Sequence, residues 1–157
     1  MKAITLTAPW AWAVAHAGKD VENRTRRCPS LLGERIAIHA GVAPATKFAA
    51  NQQRHAIEWM KSGLIDRTPV MSYGSIVAVA TVIGWCGKSW VWDQRWLDVV
   101  GLLGHRCDTS PWFSGPYGWM LHDVRALAEP VPARGKQGIW TVGTSAEARI
   151  LAQIGGA

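Results

Sequence analysis

Apolar and polar residues alternate over positions 2–7 (KAITLT), the period of a half-buried strand. Pro9 then opens the apolar stretch WAWAVAHAG, which predicts a short helix. Proline is pre-set for a first helical turn, and Gly18 stands where a helix-ending glycine is expected. The polar segment 19–27 (KDVENRTRR) has no period of its own and reads as an irregular turn. Alternation returns over 34–40 (ERIAIHA), with Ile36 and Ile38 on one face and Arg35, Ala37 and His39 on the other. Between 46 and 61 the spacing of Phe48, Ala49, Ile57, Trp59 and Met60 predicts a helix, capped by Thr46 and ended by Gly63. The β-branched run 74–83 (GSIVAVATVI) predicts a central strand.

Residues 85–116 break this pattern. Trp85, Trp90, Trp92, Trp96 and Trp112 are interleaved with Gly, Ser and Asp, which predicts an insertion with a short helix near 92–103 between long loops. Strands are predicted again at 117–123 (YGWMLHD) and at 135–142 (GKQGIWTV). Between them, 125–134 carries Pro130 and Pro132 and is expected to be an extended edge, where a missing N–H costs no ladder bond. Ser145 is expected to cap a C-terminal helix with Glu147 in its first turn, so that 144–157 forms a helix and tail. The sum is one α+β domain over 1–157, with short strands and two or three helices packed against them.

Composition narrows the function classes. At 157 residues with 48% hydrophobic and 18% charged positions, the chain has a globular and not a disordered balance. Seventeen basic against eleven acidic residues leave +6, which permits a polyanionic partner. Ten tryptophans are many for this length, and indoles are favoured where bases must be stacked, although most must serve as core here. No apolar run approaches the ~20 residues of a membrane-spanning helix, and the first residues do not read as a signal peptide. Cys28, Cys86 and Cys107 are odd in number and lack a CxxC pair. They are expected to be inert thiols of a cytoplasmic protein, and His105 with Cys107 is a weak zinc signal. No cofactor is expected, since no Walker loop, Rossmann glycine pattern, HExxH box or Ser-His-Asp order occurs.

Two blocks together carry a resemblance. They are TAPWAWAVAHAGKDVENRT (7–25) and YGWMLHDVRALAEPVPARGKQGIW (117–140). In this order they resemble the ASCH domain family of the PUA-like superfamily. The resemblance spans most of the chain, with 85–112 and the tail after 142 poorly matched. It implies a small PUA-like β-barrel with flanking short helices and a Trp-rich insertion. It also implies a cleft bounded by the Gly18–Arg24 turn, the strand ending at His39 and the Gly135–Trp140 turn. The superfamily includes RNA-binding domains, modified-base readers and a few small enzymes. Lys19, Glu22 and Arg24 match the Lys-x-x-Glu-x-Arg form of the most similar members. A subgroup that hydrolyses acylated cytidine has threonine where this chain has Glu22, so no acylcytidine hydrolysis is expected here.

The residues themselves support the same region. Two cations bracket Glu22, and either the trio pins the turn to the barrel or it faces a ligand. Lys19 suits a phosphate or a carbonyl oxygen, and Arg26, Arg27, Arg134 and Lys136 suit a phosphate-tracking rim. Trp10 and Trp12, two apart, cannot share a helical face; Trp10, next to Pro9, is assigned to the cleft as a stacking wall. His39 is either a bonded core histidine or a reader of polar edges beside Glu22. Gly135, Gly138 and Trp140 read as structural, and His16, His55 and His122 belong to no constellation. The expected function is a binding module for RNA or single-stranded nucleic acid that takes a base or modified nucleotide into the cleft. One alternative is a small hydrolase of RNA or a modified nucleoside, with Lys19 and Glu22 catalytic and Thr25 or water as nucleophile. Another is a protein-interaction domain docking through 85–112. The approach of Lys19 to Glu22 in a pocket of nucleoside size is the feature that would favour the hydrolase.

Overall fold

The computed structural model describes residues 1–41, 47–87 and 109–155. β1 (Lys2–Leu6) runs directly into α1 (Ala8–His16), and β2 (Val21–Arg24) and a 3-10 turn (Pro29–Leu31) lead to β3 (Arg35–Ala40). α2 (Lys47–Lys61) connects to β4 (Ser75–Gly87), and β5 (Tyr117–Pro132), β6 (Ile139–Thr141) and α3 (Thr144–Ile154) complete the chain. The six strands form one mixed sheet in the order β2-β5-β4-β3-β1-β6, curled into a half barrel. β1 and β3 are parallel; every other pairing is antiparallel.

The centre of the sheet is buried on both faces. Ile4, Leu6, Ile36 and Ile38 pack with Ala11 and Val14 of α1, whereas Ala3, Ala37, Ile76 and Val79 pack with Ile150 of α3 on the other side. This is why β4 reads as an unbroken apolar run: neither of its faces meets water. A third cluster joins Trp12 of α1, Trp59 of α2 and Trp112, and so fixes α2 and the approach to β5 against the barrel. Among the described residues no helix is long and apolar enough to cross a membrane.

Several expected elements take a different form. The polar segment after Gly18 contains a real strand, β2, paired to Tyr117–Met120 of β5. The strands expected at 117–123 and 125–134 are one, β5, and the gap between them coincides with Asp123 at φ 46°. There the pairing slips from Thr81↔His122 to Val79↔Arg125, and the Asp123 carboxylate is held by Arg35 and by Arg125 Nε at 3.1 Å. Aspartate is one of the few residues that tolerates this left-handed conformation. Three such register slips along β4–β5 bend the sheet, as bulges do. The prolines lie in the half of β5 that β2 does not reach, so that half is an edge.

β6 is shorter than 135–142, because Gly138 at φ 74° turns the chain just before it. β4 continues through Trp85 and Cys86 to Gly87, so these residues belong to the sheet and not to the insertion. Trp90, Trp92 and Trp96, the helix expected near 92–103, Cys107 with its zinc signal and the Thr46 cap lie outside the described residues. Ser145 is not a cap: α3 begins at Thr144 after Gly143, without a side-chain cap bond. Cys86 is disulfide-bonded, which corrects the reading of three inert thiols; Cys28 is a buried free thiol.

Gly135 has no space for a side chain. A Cβ there would stand 2.5 Å from His39 Nδ1 and 3.0 Å from Thr5 Oγ1. Gly135→Ala must therefore displace the segment after β5 or the buried imidazole, and is expected to cost about 1–3 kcal/mol of unfolding free energy. Urea denaturation checks it; a loss below a few tenths would show that the segment yields freely.

Candidate functional site

Gly18 sets up the site. At φ 66° it ends α1 in a conformation few other residues take, and the Lys19 N–H bonds back to the Ala13 carbonyl at 3.1 Å. The reversal sends Lys19 inward, where it is 1% exposed. The Asp20 carbonyl then accepts the Leu121 N–H at 2.7 Å and starts the pairing of β2 with β5. Alternation along β2 puts Glu22 and Arg24 on one face, with Trp119 directly across from Glu22.

These side chains form a linked ion cluster. Lys19 Nζ lies 3.5 Å from Glu22 Oε2, and Arg24 Nε lies 3.2 Å from Glu22 Oε1. The Lys19 ammonium also donates to the Val21 carbonyl and stands 5.4 Å from the centre of the Trp10 ring. The Arg24 guanidinium rests over Trp119 at 5.3 Å, yet its Nε and Nη2 are buried and make no aligned hydrogen bond. Two cations face the Glu22 carboxylate, and the Asp20 carboxylate also acts on Lys19.

The cluster faces a cleft of about 380 Å³, within the range of small-ligand pockets. Thr5, Leu6 and Thr7 at the end of β1 form one wall, Trp10 of α1 the floor, and Lys19 with Glu22–Arg24 the other wall; Ser114 closes the rim. The cleft is the seam of the half barrel. Among the described residues β2 pairs only with β5, and β6 covers β1 only over Lys2–Ile4, so the two strands face each other without a shared ladder.

Of the residues singled out from sequence, Trp10, Lys19, Glu22 and Arg24 line this cleft. Trp10 is core and wall at once: its ring meets Trp59 edge-on at 4.8 Å and His55 at 5.2 Å, while Trp12 is buried. Pro9 is buried in α1. Arg26 and Arg27 are exposed beyond β2; the Arg26 carbonyl accepts the Trp119 indole N–H, and Arg27 lies 5.6 Å from the Tyr117 ring. His39 stands outside the lining. It is 1% exposed, with Nε2 bonded to the Ala133 carbonyl at 3.0 Å, and burial pushes its pKa down. Arg134 and Lys136 are exposed, and the Lys136 carbonyl accepts the Thr5 hydroxyl at 2.9 Å, which ties their segment to the β1 wall. Thr25 is exposed and not among the lining residues.

The residues that sequence reading missed are Thr5, Leu6, Thr7, Asn23 and Ser114. Thr5–Thr7 had a usable signal, since a strand end followed at once by a helix start often lines a ligand crevice. Asn23 and Ser114 had none, because their place depends on the pairing of two distant segments.

No family model matches the sequence, and no curated protein matches it significantly. Among solved structures the chain is similar to ASCH from Zymomonas mobilis, at 15% identity over 96% of this chain and 93% of that chain, with a TM-score of 0.50. A mutant of the same bacterial protein gives 13% identity over 96% of both chains, again at 0.50. At such identity the likeness is one of fold.

Burial disfavours the Lys19 ammonium and pushes its pKa below the ordinary lysine value, with Glu22 opposing the shift. The unfolded chain therefore holds the proton over a window in which the fold has released it, and stability rises with pH across that window. Lys19→Met removes the titration. Wild type should gain unfolding free energy on this variant as pH is raised toward the ordinary lysine value of about 10. A pH-independent difference in urea titrations would mean that Lys19 titrates normally.

Proposed function

We propose, with the ASCH fold, a PUA-like half barrel, as the premise, that this protein binds RNA or single-stranded nucleic acid and seats one base or nucleotide in the seam cleft. The observation that carries this reading is the Lys19–Glu22–Arg24 cluster beside the Trp10 ring in a cleft of about 380 Å³. In this reading Arg24 and Lys19 attract the phosphate or a carbonyl oxygen, Trp10 supplies an aromatic surface, and Glu22 accepts from a base edge or keeps Arg24 in place. The exposed Arg26, Arg27, Arg134 and Lys136 would track flanking phosphates. His39, buried and bonded to Ala133, serves the barrel and the Gly135 approach.

One observation favours a second reading, a small hydrolase. Lys19 and Glu22 lie 3.5 Å apart in a pocket of nucleoside size, and the lysine pKa is lowered, as suits a proton-transfer pair. Against it, both groups are already engaged: the ammonium by Val21 and Glu22, the carboxylate by Lys19 and Arg24. Thr25 is not placed as a nucleophile.

Anisotropy titration of a labelled single-stranded oligoribonucleotide at several salt concentrations tests the first reading. Log affinity should fall linearly with log salt at about −0.7 per phosphate contacted, and replacing Arg26 and Arg27 together with Ala should flatten the slope by up to roughly two contacts. Arg24→Gln should weaken binding by about tenfold or more, the worth of a charged hydrogen bond. Absence of salt-dependent binding would overturn the reading. Turnover of RNA or a modified nucleoside that drops by about 10²–10⁴ in Lys19→Ala would establish the hydrolase instead.

A further inference from the structure

The segment that enters β5 closes the cleft rim, and two side chains of the β2 region hold it there. Asn23 uses both ends of its amide. Nδ2 donates to the Trp112 carbonyl at 2.7 Å, and Oδ1 accepts the N–H groups of Ser114 and Gly115 at 2.9 Å each. Two inward N–H groups and one carbonyl leave a single sensible amide orientation. Nearby, Ser110 Oγ donates to Asp20 Oδ1 at 2.5 Å and accepts the Trp112 N–H at 3.2 Å. Trp112 itself is buried, edge-on to Trp59 at 5.3 Å. At Gly115 a Cβ would lie 3.0 Å from the Tyr117 carbonyl and 3.1 Å from Asn23 Cβ, so the backbone passes as closely over β2 as it can.

Ser114 is the exception inside this fixed frame. It is exposed, it lines the cleft, and its hydroxyl has no partner among the described residues. Of the neutral polar groups in the lining, the Asn23 amide is committed to this segment and the Thr5 hydroxyl to the Lys136 carbonyl, while Thr7 stands on the β1 wall. On the β2 side, Ser114 is thus the uncommitted hydroxyl, a neutral group that can donate or accept and so follow either polarity of a ligand edge.

We propose that Ser114 is a specificity-determining contact for the nucleotide in the cleft, and that Asn23 is the positioning residue that presents it. The proposal rests on the nucleic-acid reading above. Asn23 acts through the loop, so its loss and the loss of the Ser114 hydroxyl must not add.

A double-mutant cycle with a labelled single-stranded oligoribonucleotide measures this. Ser114→Ala should weaken binding about fivefold, as for one neutral hydrogen bond. In the Asn23→Ala background the same change should do nothing, because the hydroxyl is no longer presented. Asn23→Asp keeps the size and the acceptor oxygen for both N–H groups but loses the donor to the Trp112 carbonyl, and should restore part of the dependence on Ser114 if Asn23→Ala folds poorly. Equal Ser114→Ala effects in both backgrounds would overturn the positioning role, and no effect in wild type would overturn the contact. Failure of wild type to bind the oligonucleotide would instead fail the nucleic-acid reading. In that case amide hydrogen exchange still judges the latch: Ser114 and Gly115 should be protected in wild type and exposed in Asn23→Ala, and fast exchange in wild type contradicts it.

Discussion

The cluster of Lys19, Glu22 and Arg24 stands where a closed barrel would have a hydrogen-bonded ladder. β1 and β2 bring their ends to one cleft without pairing, and the ion pairs of the cluster lie on the β2 side of that gap. Burying an ammonium at 1% exposure is costly, and a partner carboxylate at 3.5 Å offsets that cost only in part. Removing Glu22 would take its paired carboxylate from the buried ammonium, whereas Glu22 without Lys19 would still face Arg24. Everything around the cluster restrains it: Gly18 reverses the chain, the Asp20 carbonyl starts the β2–β5 pairing, and the Trp10 and Trp119 rings lie against the two cations.

A seam so built has chemical consequences. The Arg24 guanidinium has buried nitrogens without an aligned hydrogen bond, so an anion or carbonyl oxygen that reaches them meets a charge less screened than at the surface. Trp10 couples this pocket to the aromatic cluster of Trp59 and Trp112, which in turn anchors the segment carrying Ser114. Trp10 and the β1 wall are thus packed on the core.

What the sequence made legible followed from burial. The alternations of 2–7 and 34–40, the β-branched run at 74–83 and the glycine after α1 each report a local rule that the fold obeys. β2 escaped because it is four residues of mostly polar chain whose strand character comes from its partner β5. β5 looked like two strands because the bulge at Asp123 interrupts the period without ending the pairing. Within the site, the Lys-x-x-Glu-x-Arg spacing was visible, but not that the lysine turns inward. His39 and Lys19 show the limit of pattern reading: both are polar and buried, and only the tertiary neighbours put one against the Ala133 carbonyl and the other in the cleft.

The central claim is that the seam, and not the exposed arginines, is where a nucleic acid is recognised. Amide and indole N–H chemical shifts recorded while a single-stranded oligoribonucleotide is added test it most directly. The account predicts that the largest saturable changes fall on the Trp10 indole, the Glu22–Arg24 amides, the Arg24 side-chain N–H and Ser114, with smaller changes along Arg26 and Arg27. Changes confined to exposed basic residues, with the seam unmoved, would contradict it.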